Sequence, residues 1–170
     1  RKLSLIEPTA NVSPIAEFEA PFSMWCAQRN LEEWMHLSTY DEEKSAVTYD
    51  LLYPGDISHM EDPIVAYHGT NFYGLQAIVK YGSLLQSSNG ELGHGTLDGQ
   101  PGCYLAPDEA VACGYGTPSI LFNDSIYHRV VIECFADRSR LKHRKPSEKG
   151  WGEQQVYPEQ AVAIQRIIFH

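Results

Sequence analysis

Apolar residues recur along this chain with two different periods, and each change of period marks an expected element. From Ser23, a residue type suited to cap a helix, Met24, Ala27, Leu31 and Met35 return at helical spacing, with Trp34 and Leu37 beside them. This spacing predicts a helix ending near Ser38. Residues 46–53 (AVTYDLLY) alternate instead and stop at the turn pair Pro54-Gly55, so a strand is expected there. Residues 63–67 (PIVAY) form a second short apolar run, which leads into His68-Gly69-Thr70. Leu75, Ile78 and Val79 then mark one face of a helix closed by Gly82.

Residues 86–102 hold five glycines and a proline and read as a long loop. CYLAP follows as a strand, and DEAVACGYG as a helix opened by Asp108 and ended by glycine. Residues 127–135 alternate like a half-buried strand. A basic loop over 138–149 comes next, and EQQVY and AIQRIIF close the chain as strands. Many short strands, few helices and no βαβ rhythm predict an α+β domain. The expected division is an N-terminal lead-in and helix over 1–60, packed on a core over 61–170.

Composition narrows the function classes. With 170 residues, 43% of them hydrophobic, the chain suits one compact domain. A net charge of −9 disfavours a general nucleic-acid or anionic-membrane binder. Against that sign, Arg138, Arg140, Lys142, Arg144, Lys145 and Lys149 gather six of the 13 basic residues in one segment. Cys26, Cys103, Cys113 and Cys134 show neither zinc-site nor disulfide spacing, and no metal is expected. Their usage favours a reduced compartment, cytoplasm or nucleus, with a delivered effector or toxin as the alternative. No run is long and apolar enough for a membrane span. A start at Arg1 reads as an excised domain or a processed product, so missing targeting signals carry little weight.

Four motifs stand in a telling order: YHGT (67–70), a Gly-x-Tyr at Tyr104, a second tyrosine eleven residues on at Tyr115, and EQQVYPEQA (153–161). In this order and spacing, residues 63–169 resemble the His-Tyr-Glu branch of the ADP-ribosyltransferase superfamily, which holds diphtheria toxin and the poly(ADP-ribose) polymerases. The resemblance implies two facing, mostly antiparallel sheets forming an NAD cleft with a few flanking helices. It implies an NAD-dependent mono-ADP-ribosyltransferase that releases nicotinamide and transfers ADP-ribose to an acceptor, a protein rather than a nucleic acid. NAD hydrolysis is the expected side reaction.

In that reading Tyr104 and Tyr115 sandwich the nicotinamide ring, stacking being worth about 0.5–1.5 kcal/mol per aromatic pair beyond burial. Gly114 is expected to supply the turn that folds the second tyrosine back. Gly69 reads the carboxamide with its backbone N–H and C=O, and Thr70 adds a hydroxyl to the same amide. His68 holds a hydroxyl of the adenine-side ribose. Glu153 binds the nicotinamide-side ribose and sets a negative charge beside the developing oxocarbenium ion. Lys142, Arg144 and Lys145, just ahead of Glu153, are the acceptor-side candidates.

Two departures refine the resemblance. Thr70 stands where the polymerases carry Ser, and no acceptor site for chain elongation aligns, which favours a mono-ADP-ribose product. Glu153-Gln154-Gln155 lacks the second acidic position of the Arg-Ser-Glu branch, which disfavours arginine as acceptor. The alternative reading is a catalytically silent fold of the same kind that binds NAD, ADP-ribose or a protein partner. A thiol nucleophile has no companion base in the sequence.

Overall fold

The computed structural model describes residues 35–41, 43, 46–86, 101–120, 127–146 and 152–170. Within them the chain is a mixed α+β structure dominated by antiparallel sheets. The strands are β1 (Met35–Asp41), β2 (Ala46–Leu51), β3 (Pro63–Thr70), β4 (Cys103–Leu105), β5 (Ser119–Ile120), β6 (Tyr127–His128), β7 (Val130–Asp137), β8 (His143–Pro146), β9 (Glu153–Tyr157) and β10 (Val162–Phe169). The helices are α1 (Phe72–Tyr81) and α2 (Glu109–Tyr115). Five strands form the main sheet in the order β1-β2-β10-β7-β3, three form a smaller one in the order β4-β9-β8, and β5 pairs with β6.

The alternating pattern sorts side chains onto two faces of the main sheet. On β7, Val130, Ile132, Cys134 and Ala136 enter the larger core while Val131 enters a second, smaller one. Leu75, Ile78 and Val79 of α1 cover the larger core, helped by Cys103, Leu105 and Tyr157 from the small sheet. Val111 and Ala112 of α2 cover the smaller core on the opposite face. The two sheets also touch edge to edge, where Tyr67 and Ala106 exchange both backbone hydrogen bonds at 2.8 Å.

Several expectations change. Residues 35–38 belong to strand β1 rather than a helix, and residues 23–34 lie outside the described residues. Met35 fits the helical spacing by coincidence, since it is buried opposite Leu51 on β2 and pairing decides its conformation. Because β2 pairs with the last strand, β10, a division at residue 60 cuts through the main sheet. Strand β3 runs on past the expected end at Tyr67, through His68-Gly69-Thr70, which belong to the ladder with β7. The basic segment is also partly regular: Arg138–Arg140 form a 3-10 turn and His143–Pro146 form β8 against β9. Most of the glycine-rich loop, 87–100, lies outside the described residues.

Helix boundaries follow local chemistry. The side chain of Asn71 accepts the Gly74 N–H at 2.7 Å to start α1, and Gly82 ends it in the left-handed conformation at φ 71°. Asp108 caps α2 through the Ala110 N–H. At the far end of β7, the buried carboxylate of Asp137 accepts the N–H groups of Glu61, Asp62 and Ser139 and the Ser139 hydroxyl. This fastens the entry of β3 to the exit of β7.

Candidate active site

The site is built at the corner where β3 meets β4 and both lean on α2. Tyr67 gives its N–H and C=O to Ala106, away from β7. Backbone groups alternate along a strand, so the N–H and C=O of Gly69, two residues on, point off the same edge of β3. Beyond the Tyr67–Ala106 bridge this edge has no strand partner among the described residues. One donor and one acceptor therefore stand side by side there, a match for a primary amide.

The missing side chain of Gly69 serves a second purpose. A Cβ built there would lie 1.9 Å from the Ala112 carbonyl oxygen and 2.9 Å from the Gly116 nitrogen, so α2 packs directly on the Gly69 backbone. Arg129 secures the C-terminus of the same helix by donating from Nη1 to the carbonyls of Cys113 (3.1 Å) and Gly116 (2.7 Å). Tyr115 is the last residue of α2 and packs on the smaller core beside Tyr67. The expected turn at Gly114 is not present: the helix runs through it and ends at Gly116, and the reversal between the tyrosines falls at Pro107-Asp108.

His68 is bonded through Nδ1 to the backbone carbonyl of Tyr104 at 2.8 Å. A carbonyl only accepts, so Nδ1 carries the proton, and in the neutral ring Nε2 is an acceptor. Tyr104 in turn pairs with Val156 on the strand that begins at Glu153. Gly152, at φ 131°, sets the start of that strand against α2, since a Cβ there would stand 2.9 Å from Val111 Cγ2.

The sequence candidates thus converge on one corner but divide between its sides. Strand alternation puts Tyr104 on the face of Ala106, toward the smaller core that also receives Tyr115. Glu153 falls on the opposite face with Gln155 and Tyr157, and His68 falls on the larger-core side of β3 with Ala66. Tyr104 and Glu153 cannot meet across the ladder. A ligand touching both must pass around the edge, where the backbone of Gly69 points. Thr70 is not brought to that edge: it is buried, and its hydroxyl lies under Gly74 in the first turn of α1.

Glu153 has a half-exposed carboxylate. Its Oε1 accepts the side-chain amide of Gln155 at 2.6 Å and lies 3.9 Å from Arg144 Nε. Gln155 and Tyr157 were not among the expected site residues, although their positions two and four residues after Glu153 put all three on one strand face. Of the acceptor-side candidates, Arg144 and Lys145 stand on β8 opposite Gln155 and Gln154, and Lys142 Nζ donates to the Pro101 carbonyl at 3.2 Å.

The described thiols are poor nucleophiles. Burial pushes Cys103 up to about 12, Cys134 well above its ordinary value, and Cys113 upward. Among the described residues no group of three or more His, Cys, Asp or Glu side chains could hold a metal ion. No helix there is long and apolar enough to cross a membrane. No protein-family model matches the chain, and comparison with curated proteins finds no match.

Proposed function

We propose that this domain is an NAD-dependent mono-ADP-ribosyltransferase of the His-Tyr-Glu type, with its NAD site at the corner of β3, β4, α2 and β9. The observation that carries this reading is the convergence of His68, Gly69, Tyr104, Tyr115 and Glu153, scattered over 86 residues of sequence, around the exposed edge of β3. The Gly69 N–H and C=O bind the carboxamide of nicotinamide. Tyr104 and Tyr115, both on the α2 side, supply ring faces. His68 and Glu153, both on the larger-core side, hold the two riboses.

In the reaction, the bond between ribose C1′ and the nicotinamide nitrogen breaks, its electron pair leaving with the ring. The Glu153 carboxylate stabilises the positive charge left on the ribose. An acceptor nucleophile then bonds to C1′ and loses its proton, or water does so in the hydrolytic side reaction. Lys145, on β8 opposite Gln154, stands near Glu153 and suits an acidic protein acceptor, whereas Lys142 lies toward the other end of β9 with its ammonium on the Pro101 carbonyl. Arg144 belongs instead to the electrostatics of Glu153, from which it stands 3.9 Å.

A silent binding module is the second reading, favoured by the separation of Tyr104 and Glu153 onto opposite faces. Nicotinamide release from NAD by the purified domain, with and without a cell lysate as acceptor source, separates the two. Release that rises with lysate and vanishes in Glu153→Ala supports the transferase. NAD binding by calorimetry without release supports the module.

A further inference from the structure

The side chains of Tyr157, Gln155 and Glu153 form a continuous hydrogen-bonded chain along one face of β9. Tyr157 donates its hydroxyl to Gln155 Oε1 at 2.7 Å, and Gln155 donates Nε2–H to Glu153 Oε1 at 2.6 Å. The polarity of this chain is fixed by chemistry. A carboxylate only accepts, so the amide must turn its NH2 toward Glu153, which leaves its carbonyl oxygen facing a hydroxyl that donates. Tyr157 is fully buried and Gln155 nearly so, whereas the carboxylate end is open, with 36% of the Glu153 side chain exposed.

We infer that Gln155, oriented by Tyr157, is a positioning residue for Glu153: it engages Oε1 and thereby aims Oε2 at the substrate. This rests on the functional reading above. Among the described residues Oε2 accepts no hydrogen bond, while Oε1 is engaged by Gln155 and faces Arg144. A glutamate has three rotatable bonds, and without such a tether its carboxylate would sweep a wide arc at the end of a strand. Anchoring one oxygen from the buried side converts it into a single pre-aimed acceptor for a ribose hydroxyl. The anchor is stable to pH, since burial raises the Tyr157 hydroxyl to about 12 and keeps it a donor at neutrality. The geometry also explains a glutamine at position 155, where strand burial alone would favour an aliphatic residue: it is 6% exposed and uses both ends of its amide.

The test compares wild type with Gln155→Met, Tyr157→Phe and the double variant by two readouts. The first is the nitrogen–proton NMR signal of the Gln155 side-chain amide, recorded in wild type, Tyr157→Phe and Glu153→Gln. Both substitutions should shift it. An unchanged signal in both overturns the relay whatever the activity. The second is steady-state nicotinamide release. Gln155→Met should lower kcat by about tenfold or more through loss of alignment, with KM for NAD changed less than about twofold. Tyr157→Phe should lower kcat less, and the double variant should be no slower than Gln155→Met alone, as for two members of one chain. Full kcat in Gln155→Met, or additive losses in the double variant, overturns the positioning role. If wild type binds NAD but releases no nicotinamide, the functional reading fails and takes the positioning role with it, while the NMR result still judges the relay. Tyr157→Phe, which removes a single atom, keeps the test open should Gln155→Met fold poorly.

Discussion

The two sheets of this domain solve different problems. In the main sheet, the buried residues of β7 and β10 are Val, Ile, Ala, Cys and Phe, apart from Asp137 at the end of β7. The polar Glu133, Gln165 and Arg166 of these strands are partly or fully exposed. In the small sheet, two of the four buried residues of β9 are Gln154 and Gln155, and Glu153 stands half-exposed at its start. Apolar strands need only pack, whereas buried polar side chains must be hydrogen-bonded, at a cost of about 1–3 kcal/mol for each group left unsatisfied. The main sheet is therefore built for stability and the small sheet for placing polar groups. The contrast singles out β9 without reference to any motif.

Substitutions in the two sheets should separate stability from activity. Ile167→Ala, in the middle of β10 and fully buried, should cost about 2–5 kcal/mol in denaturant unfolding. The folded fraction should nonetheless release nicotinamide at close to the wild-type rate. Glu153→Gln is the mirror case: its effect on unfolding should be small, while nicotinamide release falls by about 10²–10³-fold, measured on the same preparation. Similar losses of stability and rate in both variants would erase the distinction between the sheets.

Gly69→Ala probes the place where the two functions overlap. The new methyl meets the Ala112 carbonyl, so α2 must move off β3, at about 1–3 kcal/mol by thermal unfolding. NAD binding by calorimetry should weaken in step, because Tyr115 travels with the helix.

The smallest expected effect is a pH dependence at the rim of the main sheet. Four hydrogen bonds, led by that of the Ser139 hydroxyl, hold the Asp137 carboxyl below its ordinary 3.8. A depressed carboxyl stabilises the fold above its unfolded value and loses that contribution as the pH falls through the folded one. Urea unfolding of wild type against Asp137→Asn should therefore show a constant wild-type advantage from about pH 7 down to about pH 4, shrinking below. An advantage that stays flat to lower pH would exclude the carboxylate as the clamp.

Legibility in the sequence followed the range of the interaction that fixes each feature. Helix α1 was readable because its apolar stripe and its terminal Gly82 lie within one short stretch of chain, whereas its N-cap, Asn71, was not read from the sequence. The α+β class and most strands were readable from alternation in 46–53 and 127–135 and from short runs such as 63–67. The residue set His68, Gly69, Tyr104, Tyr115 and Glu153 was readable as an ordered pattern. The expected helix to Ser38 failed at Met35–Ser38 because strand pairing with β2, itself held by the last strand, outweighs local spacing.

What the sequence determined by itself was the list of chemical groups and the local elements that carry them. Only the tertiary structure decided which sides of the corner those groups occupy. That the backbone of Gly69 points off an edge depends on the Tyr67–Ala106 bridge, a contact between residues 39 apart. That Tyr104 and Glu153 face opposite ways depends on the register of β4 on β9. That His143–Pro146 of the basic segment becomes a strand beside β9 depends on the hydrogen bonds between β8 and β9. Register is a long-range choice among pairings whose local patterns are nearly equivalent, and a shift of one residue would reverse every one of these faces.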